Sequence, residues 1–127
     1  MAKPRYPYNP QSKMNGPYAL TRDSVSRVVP SGKIGTYLLA TCGKTMFGTD
    51  AVFIEYVGRC LDLRDRLLEH VPERYLLLYF KELATETSAY LSECEEYHRY
   101  GGTTCLDNEV HPGKPSIVSP RCPVCSQ

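Results

Sequence analysis

Arg66 and His70 lie four residues apart in the segment YVGRCLDLRDRLLEH, which spans residues 56–70. On a helix this spacing places both side chains on one face. A guanidinium binds a phosphate through two parallel hydrogen bonds, and an imidazole exchanges a proton near neutral pH. The pair therefore has the residue types of a phosphate-handling site, although the solvated face of an amphipathic helix has the same spacing.

A carboxylate in the segment TETSAYLSECEEYHRY is the second candidate. Helical geometry, at about 100° per residue, puts Ala89 and Tyr97 within about 40° of Glu93. A carboxylate among small and aromatic side chains needs a hydrogen-bond donor, an arginine or a metal ion as its partner. Glu93 is therefore a candidate metal ligand, and the alternative is a structural acid paired with Arg66 or with a tyrosine.

Four cysteine and histidine side chains have the spacing of a metal site: Cys94, His98, Cys122 and Cys125. The first two are one helical turn apart, and the last two form a Cys-x-x-Cys knuckle. Four such ligands make a closed tetrahedral zinc site, which is structural because no coordination position stays open. Cys105 or His111 can replace one ligand. The alternative is a packed Cys94 beside a loose tail.

Hydrophobic patterning predicts the elements that carry these residues. Apolar, β-prone runs predict three strands, at residues 34–42, 51–58 and 75–83. Helical spacing after a capping residue predicts three helices, at residues 21–29, 61–71 and 85–100, capped by Thr21, Asp62 and Thr85. This order predicts an α/β fold in which a mostly antiparallel three-stranded sheet is flanked by helices.

The chain length of 127 residues suits one domain with one core. We expect an N-terminal arm and short helix in residues 1–30, a core in residues 31–108, and an irregular tail with the zinc knuckle in residues 109–127. The first 19 residues mix Pro, Tyr, Asn and Lys without an apolar period, which favours disorder. The alternative is a nucleic-acid contact through the cations of this arm: Lys3, Arg5 and Lys13.

Composition limits the compartment and the partners. The net charge is only +1, so no global basic field indicates nucleic acid, and such a partner would need a local patch. No apolar run reaches the ~20 residues of a membrane span, and the first residues lack the apolar core of a signal peptide. We therefore expect a cytoplasmic protein without a membrane partner, in which six cysteines favour metal binding over disulfides.

Two tripeptides, Gly35-Thr36-Tyr37 and Tyr56-Val57-Gly58, lie on the first and second predicted strands. With them the chain resembles the GIY-YIG nuclease superfamily, which includes homing endonucleases, excision-repair nucleases and some restriction enzymes. Further residues match that family in order: Arg59, Arg66, His70, the pair Ala89 and Glu93, and Asn108. The resemblance covers residues 34–108.

Three positions depart from the family pattern. Thr36 replaces the usual apolar residue in the middle of the first tripeptide. The two tripeptides lie farther apart than in the shortest members, so the loop from Cys42 to Asp50 resembles an insertion. Cys105 stands where a proline usually precedes the asparagine by three residues, which makes Asn108 the least supported match.

The resemblance implies hydrolysis of DNA phosphodiester bonds with one magnesium or manganese ion. Tyr37 would be the general base toward water, assisted by His70 or by the metal, because a free tyrosine has a pKa near 10. Arg66 would bind the scissile phosphate, and Glu93 would be the lone protein ligand of the ion. Tyr56 would position phosphate or water, and Arg59 would contact the nucleic acid. Asn108 would be a further catalytic residue.

Two other functions fit the same residues. A non-catalytic nucleic-acid-binding or assembly module can use the same fold, and a zinc-stabilised protein-interaction domain is a third candidate. Loss of Tyr37, Arg66 or Glu93 would favour these alternatives, and all three residues are present.

Overall fold

Five antiparallel strands form one sheet in the part of the chain that the computed structural model describes, residues 3–115 and 120–126. The strands are β1 (Tyr6–Pro7), β2 (Asn15–Ala19), β3 (Gly35–Lys44), β4 (Asp50–Cys60) and β5 (Leu77–Glu82). Their order across the sheet is β1-β4-β3-β5-β2, so β3 lies at the centre.

The helices among these residues are α1 (Arg22–Val28), α2 (Leu63–His70), α3 (Glu86–Arg99) and α4 (Gly102–Cys105), with a 3-10 turn at Pro10–Ser12. The side chains of Thr21, Asp62 and Thr85 accept hydrogen bonds from backbone N–H groups in the first turns of α1, α2 and α3, which confirms the predicted caps. Within the described ranges, no helix is long and apolar enough to cross a lipid bilayer.

The predicted α/β class and the three predicted strands are confirmed, the strands as β3, β4 and β5. The prediction of a three-stranded sheet is wrong, because β1 and β2 add one strand at each edge. β1 has only two residues, and β2 contains Gly16 and Pro17, two residue types that are depleted in strands. Neither segment has alternating apolar residues, so no local sequence pattern predicts that β1 pairs with β4 or that β2 pairs with β5.

The N-terminal residues that we expected to be disordered lie against the sheet and α3. The ring of Tyr8 stacks on that of Tyr79, with 4.0 Å between the centroids. The buried hydroxyl of Ser12 donates a hydrogen bond to the Glu96 carboxylate and also bonds the hydroxyl of Tyr100 at 2.7 Å. Most of residues 3–19 are exposed, but Tyr8, Met14 and Tyr18 pack against the apolar clusters of β3–β5.

The central strand β3 sends alternate side chains to opposite faces of the sheet. Tyr37 and Leu39 pack in one apolar cluster that includes residues of α1 and α2. Leu38 and Ala40 pack in another cluster with Tyr97 of α3. Because α2 and α3 lie on opposite faces, a site that uses side chains from both helices must form at an edge or end of the sheet.

The ordered N-terminal segment can be tested with Ser12→Ala. This change removes a hydrogen-bond donor from the Glu96 carboxylate, whose side chain is buried. We expect the free energy of unfolding to fall by about 1–3 kcal/mol, measured by urea denaturation. Gln11→Ala alters an exposed neighbour and is the control. Equal stability of the two variants would contradict the placement of the N-terminal segment.

Candidate functional site

A cleft lies at the end of the β3–β4 hairpin that carries both tripeptides. β1 pairs with β4 only at Phe53 and Ile54, so among the described residues no strand covers the outer edge of β4 from residue 56 to residue 60. A cavity of about 310 Å³ opens at this edge, and five of the predicted site residues line it: Tyr37, Tyr56, Arg59, Arg66 and Glu93.

The glycine of the second tripeptide makes room for the tyrosine of the first. Tyr37 and Gly58 are directly opposite each other in the β3–β4 ladder. A Cβ atom at position 58 would lie 2.4 Å from Cζ and 2.5 Å from the hydroxyl oxygen of Tyr37, which is closer than real Cβ contacts. Only glycine therefore lets the Tyr37 ring cross β4 at this level.

The glycine of the first tripeptide brings α2 against the start of β3. A Cβ atom at Gly35 would lie 2.3 Å from the Lys81 carbonyl oxygen and 2.6 Å from Cδ1 of Leu63. Leu63 is the first residue of α2, so this close approach fixes where that helix begins. The position of α2 in turn places Arg66 and His70, one and two turns further along, near Tyr37.

Tyr37, His70 and Glu73 form a chain of polar contacts. The Tyr37 hydroxyl lies 3.0 Å from Nε2 of His70, and Nδ1 of His70 bonds the Glu73 carboxylate. Burial raises the pKa of Tyr37 above its ordinary value, the neighbouring Tyr56 raises it further, and the Arg66 guanidinium lowers it only in part. At neutral pH the Tyr37 hydroxyl is therefore protonated, and His70 is the acceptor within its reach.

Glu73 is a site residue that the sequence analysis missed. It lies three residues after His70, beyond the end of α2 and beyond Pro72. The predicted helix ends at residue 71, so its helical spacing does not pair Glu73 with His70. The spacing of three residues between an acid and a histidine near a helix end was the signal available in the sequence.

Glu93 of α3 forms an ion pair with Arg59 of β4, rather than with Arg66 or a tyrosine. Arg59 Nη1 lies 2.5 Å from Oε1 of Glu93, and the guanidinium lies 5.3 Å from the centroid of the Tyr90 ring. Burial raises the pKa of Glu93 above its ordinary value, and the hydrogen bond and charge of Arg59 offset only part of this rise. The carboxylate thus has a cationic partner within the protein.

The donor chemistry at Glu93 fits a hard divalent cation. Magnesium and manganese take oxygen ligands, and magnesium keeps several waters when the protein supplies only one carboxylate. Glu93 is a carboxylate on the wall of a cleft that is lined mainly by polar groups, and Arg59 contacts its Oε1. A cation at Glu93 would share the carboxylate with this guanidinium.

Arg66 is the more accessible of the two cleft arginines. Its side chain is 46% exposed. Its Nε lies 3.3 Å from Oε1 of Glu69, and an exposed ion pair of this kind contributes little to the stability of the fold. The side chain of Arg59 is 19% exposed. The Arg66 guanidinium also hydrogen-bonds the Tyr37 hydroxyl, so the partly exposed cation of the cleft directly contacts the buried tyrosine.

Asn108 bonds the backbone of β4 rather than pointing its amide into the cleft. Val57 N donates to Oδ1 of Asn108 at 3.0 Å, and Nδ2 of Asn108 donates to the Val57 carbonyl at 2.7 Å. The side chain thus substitutes for a neighbouring strand at this point of the edge. Asn108 holds its loop beside Tyr56, and a direct catalytic role for it stays a prediction.

Thr36, the departure in the first tripeptide, also has a structural role. Its side chain is fully buried, and its hydroxyl donates to the carbonyl of Ala89 at 3.3 Å. Ala89 lies one helical turn before Glu93 on α3. The threonine therefore helps to fix the helix that carries the carboxylate against the strand that carries Tyr37.

The structure brings together three of the four predicted zinc ligands, with a different fourth. Ligand atoms of His98, His111, Cys122 and Cys125 all lie within 4.8 Å of one another. The predicted ligand Cys94 is not one of these four residues; its side chain is buried and packs against Tyr90 and against Cys122, which is one of them. His111, one of the two substitutes that the sequence left open, takes its place.

The other substitute, Cys105, is not part of the cluster. It is the last residue of α4, it is buried, and its Sγ lies beneath Gly101. Gly101 adopts a φ of +94°, and a Cβ atom there would lie 2.4 Å from that sulfur. Cys105 therefore packs under the turn between α3 and α4.

No protein-family model, no curated protein and no solved structure matches the chain. The GIY-YIG resemblance therefore depends on the residues of this chain and on their order along it.

The role of Gly58 can be tested with Gly58→Ala. The new methyl group would meet the Tyr37 ring and hydroxyl, so the ring must shift away from His70. We expect the free energy of unfolding to fall by about 1–3 kcal/mol, as for other overpacked core positions. The matched control is Gly113→Ala, where a Cβ atom meets nothing within 4 Å. A Gly58→Ala protein as stable as this control would contradict the described packing.

Proposed function

We propose that this protein is a GIY-YIG-type endonuclease that hydrolyses DNA phosphodiester bonds with one magnesium or manganese ion. The observation that carries the proposal is that Tyr37, Arg66 and Glu93 line one cleft although they come from β3, α2 and α3. A proton-transfer group, a cation and a carboxylate are the parts that phosphodiester hydrolysis requires.

Arg66 is the phosphate-binding residue in this proposal. Its guanidinium is partly exposed at the cleft and can offer two parallel N–H groups to two phosphate oxygens. Arg59 supplies a second positive charge on the opposite wall, where it already contacts Glu93. The scissile phosphate would thus lie between two arginines, and their charges favour the extra negative charge of the transition state.

Tyr37 and His70 activate the attacking water. The phenol of Tyr37 accepts a proton from the water while its own proton passes to Nε2 of His70, which lies 3.0 Å away. The resulting hydroxide attacks phosphorus, the bond from phosphorus to the leaving oxygen breaks, and the leaving alkoxide takes a proton from solvent water. His70 then releases its proton to solvent and returns to the starting state. Because burial raises the pKa of Tyr37, this relay explains how the residue acts at neutral pH without a standing phenolate.

Glu73 and Tyr56 support that relay. With Nδ1 of His70 donating to Glu73, Nε2 presents a lone pair to the Tyr37 hydroxyl. The carboxylate also stabilises the imidazolium that forms when His70 receives the proton. The Tyr56 ring lies 6.3 Å from the ring of Tyr37 and 5.7 Å from that of His70, and it closes the cleft on that side.

Glu93 would hold the divalent ion. When bound there, the ion supplies positive charge to the phosphate oxygens and to the leaving oxygen. Asn108, which pairs with the backbone of Val57, keeps the neighbouring loop against β4 and so acts as a positioning residue.

A second candidate is a non-catalytic nucleic-acid-binding module on the same fold. The ion pair between Arg59 and Glu93 favours it, because a carboxylate that already has a cationic partner does not require a metal ion. In such a module the cleft arginines would contact phosphate without hydrolysis. The two candidates differ in whether the carboxylate of Glu93 is needed for a product to form.

The proposal is tested by incubating the protein with plasmid, single-stranded and branched DNA in magnesium or manganese. We expect cleavage of at least one substrate, and a loss of about 100-fold or more in Glu93→Gln, because the uncharged amide is a poor ligand for the ion. Glu95→Gln changes an exposed acid on the other side of α3 and should retain the wild-type rate.

Two results would contradict the proposal. One is the absence of cleavage on every DNA substrate with either ion, and the other is an unchanged rate in Glu93→Gln. Retained DNA binding without cleavage, measured by fluorescence anisotropy, would instead support the non-catalytic module.

A further inference from the structure

We propose that His98, His111, Cys122 and Cys125 bind one zinc ion. The ion would hold the loop of residues 107–113, which contains His111, in place as one wall of the cavity beside Glu93. The four ligand atoms lie within 4.8 Å of one another. They come from three separate parts of the chain: the end of α3, the loop after α4, and the tail. Four donors from such distant segments converge where one ion can bind them all.

The histidine on α3 supplies an independent sign of a missing partner. Nε2 of His98 is buried, and no described residue hydrogen-bonds it. A buried polar nitrogen without a partner destabilises the folded state, because it has lost its hydrogen bonds to water. A metal ion in the cluster would satisfy this nitrogen through a coordinate bond.

The donor set selects zinc among common ions. Two imidazole nitrogens and two thiolates form the mixed set that tetrahedral zinc binds at about 2.0–2.3 Å. Calcium and magnesium prefer oxygen ligands, so they do not fit this cluster. All four positions are filled by the protein, so the ion has no open position for chemistry and its role is structural.

Both cysteines of the tail contact other parts of the protein, and Sγ of Cys125 lies 3.4 Å from Nε2 of His111. Among residues 120–126, Cys122 is the one that is buried, and it packs against Tyr90 and Cys94. Arg121 and residues 123–126 are exposed. Coordination by Cys122 and Cys125 would hold this otherwise exposed segment beside α3 and the loop that carries His111.

The zinc ligand His111 belongs to a loop that borders the proposed catalytic cleft. A second cavity, of about 420 Å³, is lined by residues 107–113 together with Tyr56 and Glu93. Its loop is tied to β4 by the paired hydrogen bonds between Asn108 and the Val57 backbone. The zinc ion would anchor the far end of the same loop to α3, so the ion and Asn108 together hold this wall at both ends.

The ligand set is tested by metal analysis of protein purified with zinc. We expect about one zinc ion per chain, lost in Cys122→Ser and in His111→Ala and retained in Cys94→Ala and in Cys42→Ser, an exposed cysteine far from the cluster. Cobalt substitution should give the absorption of a tetrahedral ion with two thiolate ligands. Zinc-free wild-type protein, or loss of zinc in Cys94→Ala with retention in His111→Ala, would overturn the assignment.

The wall is tested by amide hydrogen exchange in the wild-type protein with zinc and after chelation. We expect exchange at residues 107–113 and at Val57, whose N–H bonds Asn108, to become faster without zinc. Leu38, in the central strand, is the control and should not change. If exchange in the loop is the same with and without zinc, the ion does not hold this wall.

The measurement of amide hydrogen exchange does not depend on nuclease activity. The part of the inference that concerns the cleft rests on the proposed function, and there we expect His111→Ala to slow the Glu93-dependent cleavage. A protein that binds zinc and protects the loop but cleaves no DNA would contradict the nuclease proposal and support the zinc site.

Discussion

The crossing of the Tyr37 ring over Gly58 is the contact on which the rest of the cleft depends. A side chain at position 58 would occupy the space of the phenol, so the two tripeptides must face each other in the β3–β4 register that the structure has. That register also sets Gly35 beneath the first residue of α2. The two close approaches together determine where Arg66 and His70 lie relative to the tyrosine.

The cleft combines groups from opposite faces of one sheet. Tyr37 and His70 are on the face covered by α2, whereas Glu93 is on α3, which packs on the other face. The two sets meet at the edge of β4 that β1 leaves uncovered, and Arg59 on β4 connects them through its ion pair with Glu93. In the proposed function, DNA would bind at this edge, which no described strand covers.

The sequence predicted those elements whose signals are local. Capping residues, apolar runs and helical spacing identified β3, β4 and β5 and the three longer helices, because each signal lies within a few residues. The N-terminal strands were missed, since β1 is too short for a pattern and β2 contains Pro17. Their pairing depends on the exposed edges of β4 and β5, which only the folded sheet presents.

The candidate site was predictable to the extent that its residues follow a fixed order along the chain. That order identified Tyr37, Arg66 and Glu93, which the structure brings to one cleft. The partners of these residues were not predictable, because the contact of Arg59 with Glu93 joins β4 to α3. The approach of His111 to His98, Cys122 and Cys125 likewise joins the loop after α4 to α3 and to the tail, which the spacing along the chain does not show.

The measurement that tests the account most directly is the single-turnover rate of DNA cleavage by Tyr37→Phe. This change removes one hydroxyl and keeps the ring that crosses Gly58, and urea unfolding would verify that the variant remains folded. If Tyr37 relays the proton from water to His70, the rate should fall by about 100-fold or more. A Tyr37→Phe protein that cleaves DNA at the wild-type rate would contradict the proposed relay.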